Sequence, residues 1–258
     1  RRRGGRASRT SLSWPERAIC TRWPLRAMCA RCGRFYISGM TDITSIKHEA
    51  NPQSGAWLPV LALLYDPFLW LGEIAGMRTR RRALVSNARG RVVEIGAGTG
   101  LNVALYPDGI AELVLTEPEP AMRQKLARRL QRHGRLAQIV DAPAEHLPLA
   151  DASVDTVVST LVLCTVADPE RTLSEIRRVL RSDGQLLFIE HVRASSRFLA
   201  ACQDYLFEPW RRFAGGCRCN SPTVELMRAC GFDVEAQDFV WRGMPAIVHP
   251  LVAGRASR

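Results

Sequence analysis

Three glycines at alternate positions, Gly96, Gly98 and Gly100, follow the apolar run Val92-Val93-Glu94-Ile95. A strand running into such a turn and then into a helix can bend sharply and approach a ligand with no Cβ in the way. Dinucleotide-binding proteins use a related turn, G-x-G-x-x-G, but that pattern requires glycine where this chain has Leu101. Glu94 lies at the strand's end. A carboxylate there repels a pyrophosphate and suits a cation carrying an ammonium and a sulfonium. Roughly twenty residues on, Leu115-Thr116-Glu117 ends a second apolar run with an acid able to accept both hydroxyls of a ribose.

Two later runs also finish on polar groups: Ser159, Thr160 and Leu161 in one, Glu190 and His191 in the other. In an open α/β sheet, ligands bind beyond the carboxyl ends of the parallel strands, so these residues form the candidate wall for a second substrate. His191 is the first candidate for a general base there, with a supporting hydrogen-bonding role as the alternative. Glu190 is the second.

The elements that must position these groups alternate along the chain. Period-two apolar patterns predict strands at 91–95, 112–116, 136–140, 154–160, 185–192, 233–240 and 246–252. Helical spacing predicts helices over 120–133, from Asp168-Pro169-Glu170 to Leu180, over 196–213 and over 221–229. Between Ala56 and Ser86, Leu58, Leu61 and Leu64, then Phe68, Leu71 and Ile74, recur at helical intervals. Asp66-Pro67 predicts a fresh helix start there. The expectation is an α/β, Rossmann-like, seven-stranded and mostly parallel sheet with an antiparallel C-terminal strand pair. Helices should cover both faces, with an N-terminal helical lid.

Glu94-Ile95-Gly96-Ala97-Gly98-Thr99-Gly100 resembles motif I of class I S-adenosylmethionine-dependent methyltransferases, and Glu117 matches their ribose-binding acid. Asp141–Leu149 is similar to the segment beside the adenine, with Pro143 where many relatives carry Asp or Asn. Arg178-Val179-Leu180-Arg181-Ser182-Asp183-Gly184 is similar to the turn before the fifth strand. The resemblance is close from about Arg91 to Val192 and looser beyond. It implies S-adenosylmethionine as cofactor, with S-adenosylhomocysteine as product. Glu94, Gly96, Ala97, Gly98, Gly100, Asn102, Glu117, Pro118, Ala144, Glu145 and Thr160 would bind it. Thr160–Cys164, Ile189–Val192 and Gly215-Gly216-Cys217 are similar to the branch that includes membrane-associated thiol methyltransferases and bacterial small-molecule enzymes. A small, apolar thiol, phenol, quinol or lipid acceptor follows from that branch. A thiol, with an ordinary pKa near 8.5, needs the least help from a base.

Charge bears on the competing functions. Ten arginines and one acid within residues 1–39 account for +9 of the net +11, so the remainder is near neutral. That stretch is expected to be a disordered tail or the product of an upstream gene start, followed by helices over 40–89 and the methyltransferase domain over 90–258. A nucleic-acid-binding protein or RNA methyltransferase using the tail is one alternative, weakened by the neutral body; no nucleic-acid partner is expected. An NAD(P)-dependent oxidoreductase is the other, opposed by Leu101 and Glu94. Cys29-Ala-Arg-Cys32 lacks the second ligand pair of a structural zinc site, and no metal is expected. Eight cysteines in a chain of this length form no secreted framework, and a cytoplasmic location is expected. The longest apolar run, 57–71, is broken by Pro59, Asp66 and Pro67, too short for a membrane span. Helices over 57–82, ending in an arginine cluster, still suit contact with a membrane surface.

Overall fold

The computed structural model describes residues 57–258. The expectations for residues 1–39, and for 40–56, lie outside the described residues. Helix α1 (Trp57–Gly72) leads through a π-helical turn, Glu73–Met77, into α2 (Arg78–Val85). An alternating succession follows: β1 (Arg91–Ile95), β2 (Glu112–Thr116), α3 (Pro120–His133), β3 (Gln138–Val140), β4 (Val154–Thr160), α4 (Pro169–Val179) and β5 (Leu180–His191). The chain closes with α5 (Arg197–Tyr205), α6 (Phe207–Phe213), α7 (Thr223–Ala229), β6 (Asp233–Val240), a 3₁₀ turn at Ala246–Val248, and β7 (Pro250–Ser257).

The seven strands form one sheet in the order β3-β2-β1-β4-β5-β7-β6. Strands β1 to β5 pair in parallel, and β7 runs antiparallel to both β5 and β6. Successive side chains of a strand point to opposite faces. Val92, Leu113, Leu115, Val158, Leu187 and Ile189 accordingly enter one core layer with Leu69, Met77 and Leu126 from the helices. Val93, Val114, Val157, Leu186 and Phe188 enter the other, with Leu173, Ile176 and Met227. Both faces are therefore covered, as a parallel sheet requires.

Pro67 does not start a helix; α1 continues through it. A proline inside a helix orphans the carbonyl four residues earlier. That carbonyl, Leu63 O, accepts from Lys125 Nζ of α3 at 3.1 Å. Asp66 is likewise no cap: its carboxylate takes Arg129 Nη2 of α3 at 2.7 Å and the Thr99 hydroxyl at 2.5 Å. These contacts tie α1 to the glycine loop. Because Pro67 does not break it, the helical run Pro59–Val85, kinked at Gly76 where φ is 126°, is long and apolar enough to cross a membrane by length and composition. Leu69 and Met77 nonetheless pack it against the domain core.

Other element boundaries differ from the expected ones. Leu136, 94% exposed, lies outside β3. The 182–184 turn falls inside β5, where the register with β4 shifts. Residues 246–248 turn before β7 begins. Residues 101–106 form turns instead of the expected helix.

Candidate functional site

The glycine loop leaves β1 between β2 and β4, where the strand order reverses direction and open α/β sheets place their ligands. Gly96, Gly98 and Gly100 all take left-handed backbone conformations, with φ of 53°, 56° and 85°. A Cβ on Gly96 would meet the Val162 side chain at 2.8 Å, and one on Gly100 would meet Leu126 Cδ1 at 2.6 Å. Gly96, Ala97, Gly98 and Thr99 line a pocket with Tyr65, Arg81, Glu94, Leu101 and Thr160. Gly100 instead seats the loop on α3.

Glu94 is buried at the floor of this pocket. Its carboxylate accepts from Asn102 Nδ2 at 2.8 Å and from the Tyr106 hydroxyl at 2.7 Å. Asn102 also donates to the Thr160 hydroxyl at 3.1 Å and accepts from Arg81 Nη1 at 3.3 Å. Arg81, equally buried, pairs with Glu73 at 2.9 Å. Burial pushes the Glu94 carboxyl up to about 7, against the pull of its bonds to Tyr106 and Asn102 and of the Arg81 charge. A buried carboxylate held so reluctantly charged is matched to a cationic ligand group. Burial also raises the Tyr65 phenol and, with Glu94, the Tyr106 phenol.

Glu117, at the tip of β2, accepts from Gly98 N at 2.8 Å and from Glu119 N at 2.9 Å. The second acid is thereby joined to the glycine loop itself. Burial raises its carboxyl, and those two N–H groups pull it back. Pro118 is exposed beside it. On the adenine-like segment, the Ala144 methyl is packed into the core. The Glu145 carboxylate faces the start of α4, accepting from Ala167 N at 2.9 Å. Neither side chain joins the pocket.

The tips of β4 and β5 come together as expected. Leu161, next to Thr160, holds φ at 63°, unusual for a branched side chain. Glu190 is fully buried and already engaged: it accepts the Ser159 hydroxyl at 2.6 Å, Val162 N at 3.0 Å and Cys164 N at 3.4 Å. It fixes the loop after β4. Burial raises its carboxyl. His191 turns Nδ1 to Cys164 Sγ at 3.3 Å and Cys217 Sγ at 3.6 Å, with the Trp241 ring 5.9 Å away. The neighbouring Cys217 thiol and burial hold the Cys164 thiol well above its usual range.

Sequence reasoning missed Arg81, Tyr65 and Tyr106. Arg81 is one cation in a basic run, and nothing local marks it as the buried one. Tyr65 and Tyr106 sit in apolar patterns that read as core. The contact between Cys164 and Cys217 has no local signal either.

The chain matches a methyltransferase domain family over residues 93–188. It is 36% identical to the thiol S-methyltransferase TMT1B of Homo sapiens over 221 residues, covering 78% of this chain and 89% of that protein. It is 34% identical to the human thiol S-methyltransferase TMT1A over 168 residues, covering 60% and 68%. Among solved structures, an S-adenosylmethionine-dependent methyltransferase from Thermotoga maritima shares the fold, with a TM-score of 0.59, 24% identity and coverage of 78% and 97%. Neither the oxidoreductase nor the nucleic-acid alternative is favoured by these matches. The pocket's buried carboxylate, the glycine loop and these matches agree, and the chain belongs to the class I S-adenosylmethionine-dependent methyltransferase family, acting on a small acceptor.

Proposed function

We propose that this methyltransferase moves the methyl group to the sulfur of a small, apolar thiol. The observation that carries the reading is the saturation of the best-placed carboxylate. Glu190 is bound by a hydroxyl and two main-chain N–H groups, and His191 Nδ1 is turned to two sulfurs. An acceptor that ionises readily by itself suits such a wall better than a phenol or alcohol. The similarity to TMT1B, named as a thiol S-methyltransferase, supports the same choice.

S-adenosylmethionine, when bound, supplies a methyl carbon already activated by its sulfonium. The chain's own residues bind and align. Glu94 takes the ammonium, and Arg81, buried in the same pocket, takes the carboxylate of the amino-acid end. Glu117, at the tip of β2, would hold the ribose hydroxyls. Gly96 and Gly98 let the backbone lie close, and Thr160 holds Asn102 behind Glu94. Recognition of the adenine falls to the main chain near Ala144, since the Glu145 carboxylate is engaged elsewhere. Tyr65 and the aromatic cluster of Phe68, Trp210 and Phe213 give the acceptor side its apolar character. Exposed Leu63, Trp70, Leu71 and Ile74, followed by exposed Arg78, Arg80 and Arg82, fit attachment of α1 and α2 to a membrane surface, where apolar thiols concentrate.

Release of S-adenosylhomocysteine from a matched panel of thiols, phenols, quinols and amines tests the reading. Thiols should turn over fastest. A phenol or quinol outpacing every thiol would overturn it.

A further inference from the structure

Three soft side chains meet beyond the carboxyl ends of β4 and β5. Cys164 comes from the loop after Thr160, His191 ends β5, and Cys217 lies between α6 and α7. Their edges are 3.8 Å between the sulfurs, and 3.3 Å and 3.6 Å from each sulfur to His191 Nδ1. A tetrahedral zinc, with Zn–S about 2.3 Å and Zn–N about 2.0 Å, sets ligand atoms roughly 3.8 Å apart for two sulfurs and roughly 3.5 Å for sulfur and nitrogen. The observed triangle matches one face of that tetrahedron.

All three residues are buried, and both sulfurs face the same ring nitrogen, His191 Nδ1. Among the described residues, no fourth His, Cys, Asp or Glu joins the cluster. A closed structural site has four protein ligands, whereas three leave a position open. The cluster also adjoins the cofactor pocket: Thr160, which lines that pocket, lies four residues before Cys164.

We propose that Cys164, His191 and Cys217 bind one zinc-class ion whose open fourth position takes the sulfur of the methyl acceptor. The second half rests on the thiol reading above; the first does not. A thiol that coordinates such an ion loses its proton outright, here to solvent. A lone pair of the bound sulfur then forms the bond to the methyl carbon. The bond from that carbon to the sulfonium breaks, and its electron pair stays with the departing S-adenosylhomocysteine sulfur. The product is a neutral thioether, a weaker ligand than a thiolate, and it leaves the ion. Nothing is oxidised or reduced.

The full chain, stripped of metal under reducing conditions and titrated with Co²⁺, tests both halves. One equivalent should bind with a thiolate-to-cobalt charge-transfer band and tetrahedral visible bands. Losing an outer-shell partner alone weakens metal sites by 10–100-fold, so Cys164→Ser and Cys217→Ser should each weaken Co²⁺ binding by ~100-fold or more. S-adenosylhomocysteine binding, which uses neither residue, verifies that the variants fold. The intensity of the charge-transfer band in the unmutated chain counts thiolate ligands even if a variant does not fold. Benzenethiol should then shift the visible bands. Binding of Co²⁺ to the unmutated chain without a charge-transfer band, or no tighter than to the double variant, would overturn the site. Bands unmoved by benzenethiol would overturn the open position. Failure of every thiol in the panel, with and without Zn²⁺, would instead refute the thiol reading and with it the acceptor's place on the ion, while the Co²⁺ spectra alone decide whether the ion binds.

Discussion

Replacing Glu94 with glutamine separates what this carboxylate costs the free protein from what it gives the bound one. In the free protein, burial raises the carboxyl from 4.5 to about 7. Below pH 4.5 the group is protonated in both folded and unfolded chains. As pH rises toward 7, the unfolded chain gains from ionising and the folded chain does not, so stability falls and then levels off above about 7. Each pH unit in that window corresponds to about 1.4 kcal/mol. Between about pH 5.5 and 8.5 the native chain should therefore lose about 2 kcal/mol relative to Glu94→Gln, which does not titrate. For a domain of this size that is a relative fall in Tm of roughly 4–8 °C. The comparison of slopes is insensitive to the constant cost of rearranging the bonds from Asn102 and Tyr106. The same substitution removes a charge-assisted bond to the ligand's ammonium. That bond contributes about 1.5–3 kcal/mol, so S-adenosylhomocysteine should bind roughly 10–150-fold more weakly. Thermal unfolding across pH, paired with calorimetric titration at about pH 8.5, measures both. Parallel pH profiles together with unchanged affinity would refute the reasoning.

Three further outcomes are expected. In the native chain, S-adenosylhomocysteine affinity should fall about tenfold per pH unit below about 7, because Glu94 must release its proton on binding; a flat calorimetric profile from about pH 5.5 to 7 would disprove that linkage. Glu117→Ala should weaken binding of the same ligand by at least ~10-fold, through loss of a carboxylate that accepts hydroxyl hydrogen bonds, and unchanged affinity would remove its ribose role. Gly100→Ala combines φ of 85° with a Cβ 2.6 Å from Leu126, and strain plus overpacking should cost about 2–5 kcal/mol in denaturant unfolding. Gly134→Ala, with φ of 60° and nothing within 4 Å, should cost only about 1 kcal/mol. Equal losses would mean that the close approach to α3 is unimportant.

Local residue chemistry is enough to set several of the elements. Strands β1, β2, β4 and β6 begin and end where the apolar alternation predicts, and Asp168 caps α4 with a bond to Arg171 N at 2.9 Å. The glycine turn after β1 is legible because a sharp left-handed turn at the end of a strand admits few residue types. What required tertiary structure was every contact that spans elements. Pro67 looked like a helix start because its lost bond is visible locally, while the Lys125 amine that takes the freed carbonyl comes from α3. Arg81 became the one buried arginine of α2 because that helix packs over the loop. The partners of Glu190, the Ser159 hydroxyl and Val162 N in the loop after β4, are likewise set by the packing of β4 against β5. Cys164 and Cys217 lie 53 residues apart, beyond any local periodicity. Only the closing of the chain around the ends of β4 and β5 brings their sulfurs to one histidine nitrogen, because hydrophobic burial, which carries no sequence register of its own, decides which distant faces meet.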